Sequence, residues 1–505
     1  MTMLSRVLGL VRDVLLARFI GAGGDADAFY VAFKIPNFLR RLFAEGAFAQ
    51  AFVPVLSEYR AKGSVEAVRY FIDRIAGCLG ITLIGVCGLA MLAAPFVAAV
   101  FGMGFLFDEG REKFALTTEL IRITFPYLFL ISLTGFAGSI LNSYDRFAVP
   151  ALTPVILNIS LISAAAFVSP HMDRPVFALA WGVIVAGVLQ LAFQLPFLAR
   201  LGLLPRPKID WRDPSVKKVL MLMAPAMFGV SISQINLLFD TILASFLVDG
   251  SISWLYYSDR LIELPLGIFG VGIATVILPN LSRQFAQGAQ QFSATLDWAM
   301  RMVLLIAIPS AIALIAIAQP ILFTLFQYQQ MTAHDMVMSS YSLSAYAVGL
   351  VAFMLIKVLA SGYFSRQDMR TPVRIGIIAM VSNMGLNVLF VLPLMHFWQI
   401  GHVGLALATS CSAFLNAGLL FLGLYKAKVY QPEKGWFIFM GRLFFSSFLM
   451  MVCVVYIRSF MTPFADLAWF DRCINLGVLV FVGISAYVVG LVLTGLRVRH
   501  LRIDA

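Results

Sequence analysis

Apolar stretches of membrane-spanning length recur along the whole chain. A transmembrane helix needs roughly 20 mainly apolar residues, and we count about fourteen such stretches between short polar turns. The composition agrees, since 61% of the 505 residues are hydrophobic and only 12% are charged. The stretches show no strand-type alternation, so they cannot close into a barrel and must be helical in lipid. We therefore expect an all-α polytopic membrane protein.

Lysine and arginine are unevenly distributed between the alternating loops. With the N-terminus taken as cytoplasmic, twenty fall on that side and five on the other, namely Arg111, Lys113, Arg174, Arg458 and Arg472. An excess of basic residues marks the cytoplasmic loops of membrane proteins. The bias therefore predicts that both termini are cytoplasmic and that the number of spans is even. It also accounts for the net charge of +11, so no nucleic-acid partner is needed to explain it.

Two parts of the chain echo each other. RDVLLARF at 12–19 resembles FDTILASF at 239–246, and the P-x-L-S of AFVPVLSEY recurs in VILPNLSRQ. A third echo pairs YDRFAVPALTPV with FSRQDMRTPV. Three echoes in the same order, about 220 residues apart, predict a duplicated unit of six helices. Because six is even, both copies enter the membrane with the same polarity, as in parallel-repeat transporters.

The proline-rich segment LLPRPKIDWRDPSVKK, residues 203–218, is the natural linker between the copies. We expect an N-terminal lobe at 1–204 with helices 1–6 and a C-terminal lobe at 205–430 with helices 7–12. Two further helices fall in 431–505, outside the repeat.

Charged residues are concentrated in the first fifty positions, inside otherwise apolar segments. Ser5, Arg6, Gly9, Arg12 and Asp13 fall within an arc of about 120° when a helix turns 100° per residue. An ionisable group in hydrocarbon costs several kcal/mol unless it faces a protein interior or a wet cavity. The polar face therefore indicates a pathway or binding site, and an interfacial amphipathic helix is the alternative.

The second segment carries Asp27, Lys34 and Arg41 at spacings of seven, which would place them on one helical face. Pro36 is expected to bend this helix. Arg40 and Arg41 have a second interpretation, in which they extend to the membrane interface.

The segment YYSDRLIELPLGIFGVG places Arg260 and Glu263 one turn apart, ahead of Pro265. An i,i+3 ion pair in a bent helix is the simplest interpretation. The repeat equates this segment with the second helix, so Arg260 is expected to face Arg6 and Arg12. Three guanidinium groups in a low-dielectric cavity need an anion, and arginine matches the bidentate geometry of phosphate. The pattern thus favours a phosphorylated or pyrophosphorylated substrate.

Four stretches resemble the MurJ (MviN) lipid II flippases of the multidrug/oligosaccharidyl-lipid/polysaccharide exporter superfamily. They are SRVLGLVRD, GAGGDADAFYVAFKIPNFLRRLFAEGAFAQAFVPV, YYSDRLIELPLG and SRQDMRTPV, and the similarity extends over essentially the whole chain. The resemblance implies fourteen helices in two lobes around a cationic cavity. It also implies that the last two helices form a groove for the polyprenyl tail.

The same resemblance implies roles for individual residues. Arg6, Arg12 and Arg260 match arginines proposed to hold the lipid II pyrophosphate, Asp27 and Arg40 match essential positions, and Glu45 and Glu263 match further cavity or gate acids. Some relatives bind Na⁺ in the second lobe, for which the candidates are Asp240, Asn383, Asn387 and Thr409. An interhelical hydrogen-bond cluster is the alternative for these four.

The expected activity is translocation of undecaprenyl-diphosphate-linked peptidoglycan precursor across the bacterial cytoplasmic (inner) membrane by alternating access, without catalysis. No GxxxxGK[ST] phosphate loop is present, so no cofactor is expected to be required. Na⁺ or the membrane potential are candidate driving forces. Lipid II, membrane lipids and the cell-wall synthesis machinery are the candidate partners.

Three alternative functions would each require different sequence features. An exporter of drugs or of other polyprenyl-linked oligosaccharides would share the fold but would not need the arginine-rich first helix. A membrane-embedded enzyme would need an acidic metal-binding pair or a larger catalytic segment, and the loops here are short. A purely structural scaffold would not retain so many intramembrane charges.

Overall fold

The computed structural model describes residues 2–40, 48–61, 63–107, 110–285 and 288–496. Within these ranges the secondary structure is helical, without a β-strand. Ten helices in this part of the chain are long and apolar enough to cross a membrane. Helices satisfy their backbone hydrogen bonds internally, which is the requirement that lipid imposes. The all-α polytopic fold class is confirmed, and the number of fourteen spans stays a prediction.

The chain divides into two compact units, Met1–Ser253 and Trp254–Ala505. The α-helices of the first unit are, in chain order, α1 (Thr2–Phe19), α2 (Gly24–Arg40), α3 (Phe48–Ala61), α4 (Val65–Leu92), α5 (Ala94–Phe101), α6 (Arg111–Thr124), α7 (Tyr127–Ser143), α8 (Ala148–Ser163), α9 (Pro175–Arg200) and α10 (Pro214–Ala244). In this unit α1 packs on α8, α2 on α6, and α10 on α3.

Aromatic side chains form the centre of the first unit. The ring of Phe52 on α3 stacks on Phe71 of α4 at 5.3 Å and meets Phe136 of α7 edge-on at 5.2 Å. All three side chains are buried, as are neighbouring aliphatic residues of α4 and α7. Offset and edge-to-face ring pairs add to the stability gained from burial alone.

The linker before α10 lies against α4. The backbone N–H of Arg206 donates to Asp73 Oδ1 at 2.7 Å, and that of Lys208 donates to the Asp73 carbonyl at 2.9 Å. Gly77 allows this approach, because a Cβ there would lie 2.2 Å from the Lys208 carbonyl oxygen. With the linker and α10 packed on α3 and α4, the division between compact units falls after Ser253. The lobe boundaries at 204/205 and 430/431 remain a prediction about the repeat.

The second unit begins within α11 (Ser251–Pro265). The remaining helices are α12 (Val271–Phe285), α13 (Ala289–Ala316), α14 (Ala318–Phe326), α15 (Ala333–Phe364), α16 (Arg370–Trp398), α17 (Gly401–Lys426), α18 (Trp436–Ser459) and α19 (Trp469–Leu493). A helix of 28 residues followed by a short one occurs in each unit, as α4 with α5 and as α13 with α14.

Near Pro265, where the sequence predicts a bent helix, the structure shows a change of helix type. Helix α11 ends at Pro265, and one π-helical segment, Leu266–Gly270, leads into α12. Proline cannot donate the backbone hydrogen bond that a continuing α-helix needs. In α2, by contrast, the helix continues through Pro36 to Arg40.

Candidate functional site

Arg12 is held in place by a second helix. Its Nε and Nη2 donate to Asp13 Oδ1 at 2.9 and 2.7 Å, and its Nη1 donates to Asn158 Oδ1 on α8 at 3.1 Å. Asn158 Nδ2 donates in turn to the Ser5 carbonyl at 3.0 Å. The side chain of Asp13 is 2% exposed and that of Arg12 is 11% exposed. The guanidinium group is therefore fixed before any ligand arrives, which lowers the entropic cost of binding.

Arg6 lies on the same face of α1 and is half-buried. Among the described residues it has no hydrogen bond or ion pair. Because the charges of Arg12 and Asp13 cancel, Arg6 supplies the net positive charge of this face. Arg18 is exposed, with its guanidinium 5.7 Å from the centre of the Phe19 ring.

Asp27 on the first turn of α2 binds the beginning of α11. Its Oδ2 accepts from Gly250 N at 2.8 Å, and its Oδ1 accepts from Ser253 N at 2.9 Å and Ser253 Oγ at 2.6 Å. The side chain is fully enclosed, at 1% exposure for the residue. The first N–H groups of a helix lack partners within it and carry a partial positive charge, so a carboxylate stabilises them. Asp27 thus acts as an N-terminal cap supplied from another helix.

An ion pair lies beside this cap. Lys113 Nζ at the start of α6 pairs with Asp249, the residue just before Gly250. Gly24 is packed under the pair, since a Cβ there would lie 2.9 Å from Lys113 Cδ and 3.2 Å from Asp249 Oδ2. Helices α2 and α6 therefore both bind the turn between α10 and α11.

Arg260 and Glu263 form the expected ion pair on α11. Arg260 Nη1 lies 2.6 Å from Glu263 Oε2, and the guanidinium lies 4.8 Å from the centre of the Tyr256 ring. The two side chains are 32% and 46% exposed. A solvent-accessible pair of this kind contributes about 0.3–0.5 kcal/mol, so an anionic ligand can compete for the arginine.

Of the remaining candidate site residues in the second segment, the structure describes only some. Arg40 Nε donates to Asn37 Oδ1 at 2.9 Å and the side chain is half-buried. Arg41 and Glu45 lie outside the described residues.

Three of the four candidate sodium ligands lie together in the second unit. Asn387 Nδ2 donates to Asn383 Oδ1 at 3.0 Å, and Asn383 Nδ2 donates to Ser412 Oγ at 3.3 Å and to Thr409 Oγ1 at 3.5 Å. The amides link α16 to α17, which is the hydrogen-bond cluster foreseen as the alternative. Asp240 is on α10, in the first unit.

An apolar groove of about 860 Å³ runs between α13, α15, α17 and α18. Its lining includes Leu304 and Ile308 of α13, Leu355 of α15, Phe414 of α17 and Met440 of α18. Long apolar side chains from four helices therefore surround this space.

A buried carboxylate binds two aromatic residues of the groove lining. Asp297 Oδ1 accepts from Tyr430 Oη at 2.6 Å and from Trp436 Nε1 at 2.7 Å, while Oδ2 lies 2.7 Å from Arg301 Nε. Both aromatic residues line the groove. Their polar atoms are occupied by Asp297, so the surfaces left to face the groove are apolar.

Two arginines attach α18 and α19 to the ends of α13 and α14. Arg458 Nη1 donates to the Ala316 carbonyl at the end of α13 at 3.1 Å. Arg472 Nη1 donates to the Phe323 carbonyl near the end of α14 at 3.0 Å, and its Nη2 to Ala465 at 2.9 Å. The last carbonyls of a helix lack partners within it. The two arginines, counted above as loop residues, therefore serve as helix caps.

Sequence reasoning missed Asn158, Asp297 and these capping arginines. Two of them carried a partial signal, because Asn158 stands alone in the apolar run PVILNISLIS, and Asp297 is spaced i,i+4 with Arg301. Their partners are more than 130 residues away along the chain, which no local pattern reveals.

The helical architecture, the fixed arginine and the apolar groove define a multi-pass membrane transporter. Its fold is that of an inward-facing multidrug resistance MATE family transporter of the MOP superfamily, with a TM-score of 0.69 at 14% identity over 84% of this chain and 94% of the other. A structure described as lipid II flippase MurJ in an inward closed conformation matches with a TM-score of 0.80 at 28% identity, over 97% and 96% of the two chains.

The family model "Lipid II flippase MurJ" matches residues 16–470. A Haemophilus influenzae protein described as a probable lipid II flippase MurJ is 48% identical over 99% of both chains. A Burkholderia cenocepacia lipid II flippase MurJ is 44% identical over 88% of this chain and 85% of its own. The chain therefore belongs to the MurJ family.

Proposed function

We propose that this protein moves lipid II from the cytoplasmic to the periplasmic leaflet of the bacterial inner membrane by alternating access. The observation that carries the proposal is the arginine fixed on the polar face of α1, where Asp13 and Asn158 hold Arg12 in one orientation. The description of the family and of its members as lipid II flippases supports lipid II as the substrate.

Arg6, Arg12 and Arg260 are the proposed ligands of the diphosphate. A planar guanidinium can donate two parallel hydrogen bonds to one phosphate group. Arg12 is already fixed, Arg6 brings uncompensated charge, and Arg260 can exchange Glu263 for the ligand. No bond is made or broken during transport, so the arginines need only bind in one state and release in the other.

Asp27 has a different proposed role. Its carboxylate already accepts three hydrogen bonds from Gly250 and Ser253, and a carboxylate repels an anionic substrate. We assign Asp27 to gating, because release of these bonds would free the start of the helix that carries Arg260. Arg40, Glu45 and Glu263 remain proposed cavity or gate residues.

The tail groove was expected between the last two helices, of which α18 but not α19 lines the apolar groove. We propose that this groove, between α13, α15, α17 and α18, holds the undecaprenyl tail. Burial of apolar surface gives little net gain when the tail leaves lipid for protein, so shape and packing must provide the specificity. Asp297 binds Tyr430 and Trp436 of the groove lining, and Arg458 attaches the end of α18 to the end of α13, so two of the helices that line the groove are fixed to each other at both ends.

We propose that an ion gradient or the membrane potential supplies the energy for transport and that no cofactor is required. The cell-wall synthesis machinery is proposed as a further partner. Replacing Na⁺ by K⁺ on both sides of proteoliposomes tests the ion. If transport continues unchanged and Asp240→Ala has no effect, the sodium site is excluded.

The transport assay uses full-length protein in liposomes and measures lipid II in the outer leaflet, alongside complementation of cells depleted of their own flippase. We expect Arg12→Ala and Arg260→Ala to abolish both activities, while the exposed Arg18→Ala serves as the matched control. Equal transport of other polyprenyl-diphosphate sugars or of drugs would assign the protein to a different exporter class. Full activity of both arginine variants would exclude the diphosphate site.

A further inference from the structure

A second cavity, of about 370 Å³, lies between the beginning of α18, the middle of α13 and the chain just after α19. We call it the basic pocket and define it by its lining residues Trp298, Arg301, Met302, Ile438, Arg442 and Leu496, with Gly435 and Phe439 completing it. It is distinct from the apolar groove. The two cavities use opposite faces of α18, since the groove is lined by positions 436, 437, 440 and 444, and the pocket by 435, 438, 439 and 442.

The charges in the basic pocket do not cancel. Arg301 is paired with buried Asp297 at 2.7 Å and lies 5.1 Å from the centre of the Trp436 ring. Arg442 is half-buried and forms no ion pair with a described residue. Among the described residues, one positive charge is therefore left within a cavity that also offers N–H donors from two guanidinium groups.

The surroundings of the basic pocket resemble a membrane interface. Ile438 is 64% exposed at its edge, and Trp298, Met302 and Leu496 supply further apolar or aromatic wall. The adjoining loop carries Lys426, Lys428 and Lys434, and the sequence after Leu496 continues with Arg497, Arg499 and Arg502. Basic clusters that directly adjoin a transmembrane helix are typical of segments that bind anionic lipid.

We propose that the basic pocket binds the phosphate of an anionic glycerophospholipid, with Arg442 and Arg301 as donors and the acyl chains along the apolar rim. A phosphodiester carries one negative charge, which matches the one uncompensated positive charge. The ligand is thus a resident membrane lipid, and its site is separate from the transported substrate's arginines and from the tail groove.

A lipid bound there would contact both α13 and α18. Helix α18 begins at Trp436, which Asp297 holds on α13, so the lipid would strengthen the same attachment from the other face of the helix. Anionic lipid would therefore stabilise the docking of the last two helices.

The test uses the full-length protein in phosphatidylcholine vesicles that contain phosphatidylglycerol. Brominated acyl chains quench tryptophan fluorescence at contact, and Trp298 lies in the basic pocket. We expect brominated phosphatidylglycerol to quench more than brominated phosphatidylcholine. The excess should be lost in Trp298→Phe, which identifies the reporter, and the preference for phosphatidylglycerol should fall about fivefold in Arg442→Gln, the loss expected for one basic residue at a lipid surface.

Arg374→Gln is the matched control, because Arg374 is an exposed arginine on α16 that does not line the pocket. Equal quenching by the two brominated lipids, or an unchanged preference in Arg442→Gln, would overturn the proposal. Full displacement of phosphatidylglycerol by inorganic phosphate would assign the pocket to a soluble phosphate instead. None of these measurements depends on lipid II transport, so this proposal and the proposed function can fail separately.

Discussion

Asn158 connects the two ends of the polar face of α1, because its amide oxygen accepts from Arg12 and its amide nitrogen donates to the carbonyl of Ser5. One side chain on α8 thus fixes both the backbone of α1 and the guanidinium that this helix presents. Gly9 lies between them, and a Cβ there would be 3.8 Å from Asn158 Nδ2, an ordinary contact.

The first prediction concerns this connection. Asn158→Leu removes the acceptor for Arg12 and leaves an apolar side chain of similar size. Because a hydrogen bond to a charged group contributes about 1.5–3 kcal/mol, we expect lipid II transport to fall by about tenfold or more. The control is Asn142→Leu, an exposed asparagine near the end of α7. Equal transport by the two variants would show that Asn158 does not position Arg12.

The second prediction concerns the cap on α11. Asp27→Asn keeps one oxygen acceptor but turns an N–H donor towards the N–H groups of Gly250 or Ser253, so transport should be nearly lost. Ser253→Ala removes one of the three hydrogen bonds, at a cost of about 1 kcal/mol, and should reduce transport about fivefold at most.

Asp25→Asn is the matched control for this pair, since Asp25 is on the same turn of α2 and has no hydrogen bond with a described side chain or backbone group. Initial rates in proteoliposomes give the order of the three variants. If Asp25→Asn lowers the transport rate as much as Asp27→Asn does, the loss is due to the negative charge near this turn, and the cap on α11 is not its cause.

The third prediction concerns Asp297, which binds two aromatic residues that line the tail groove. Tyr430→Phe should release one hydrogen bond from Asp297, and Asp297→Ala should release all of them and leave Arg301 without its buried partner. Breaking a buried ion pair costs about 3–5 kcal/mol, so Asp297→Ala should lower the thermal unfolding temperature far more than Tyr430→Phe.

Substrates with tails of different length distinguish an effect of these variants on the groove from an effect on the stability of the fold. If Asp297 shapes the groove, Tyr430→Phe should raise the Michaelis constant for undecaprenyl substrate more than for a short-chain analogue. A proportional change for both chain lengths would show that Asp297 serves only to stabilise the fold.

The fourth prediction concerns pH. Asp213 caps the start of α10; burial opposes its ionisation, but hydrogen bonds from Ser215 and Tyr70 and the charge of Arg74 outweigh burial and lower the pKa of this carboxyl below its ordinary value. A lowered pKa means that the carboxylate stabilises the fold at neutral pH and loses this effect as the pH falls through that lowered pKa. Thermal unfolding of the native protein and Asp213→Asn should therefore differ at pH 7 and converge in acid. A constant difference across pH would contradict the assignment.

The sequence alone was sufficient to predict contacts between residues that are close along the chain. The period of a helix places Arg12 and Asp13 on one face, and the spacing of Arg260 and Glu263 predicts their ion pair. The family and the fold class also follow from motifs and apolar runs. Partners of Asn158, Asp297 and Arg472 could not be predicted, because each depends on which helices pack together over more than 130 residues of intervening chain.

The capping arginines have a consequence for how the chain can be shortened. Arg458 and Arg472 donate to carbonyls of Ala316 and Phe323, which belong to α13 and α14. A version of the protein that ended before α18 would keep α1 to α17 but leave these carbonyls without their donors, and an unpaired backbone group in lipid costs several kcal/mol. The last two helices are in this sense structural supports that the ends of α13 and α14 require.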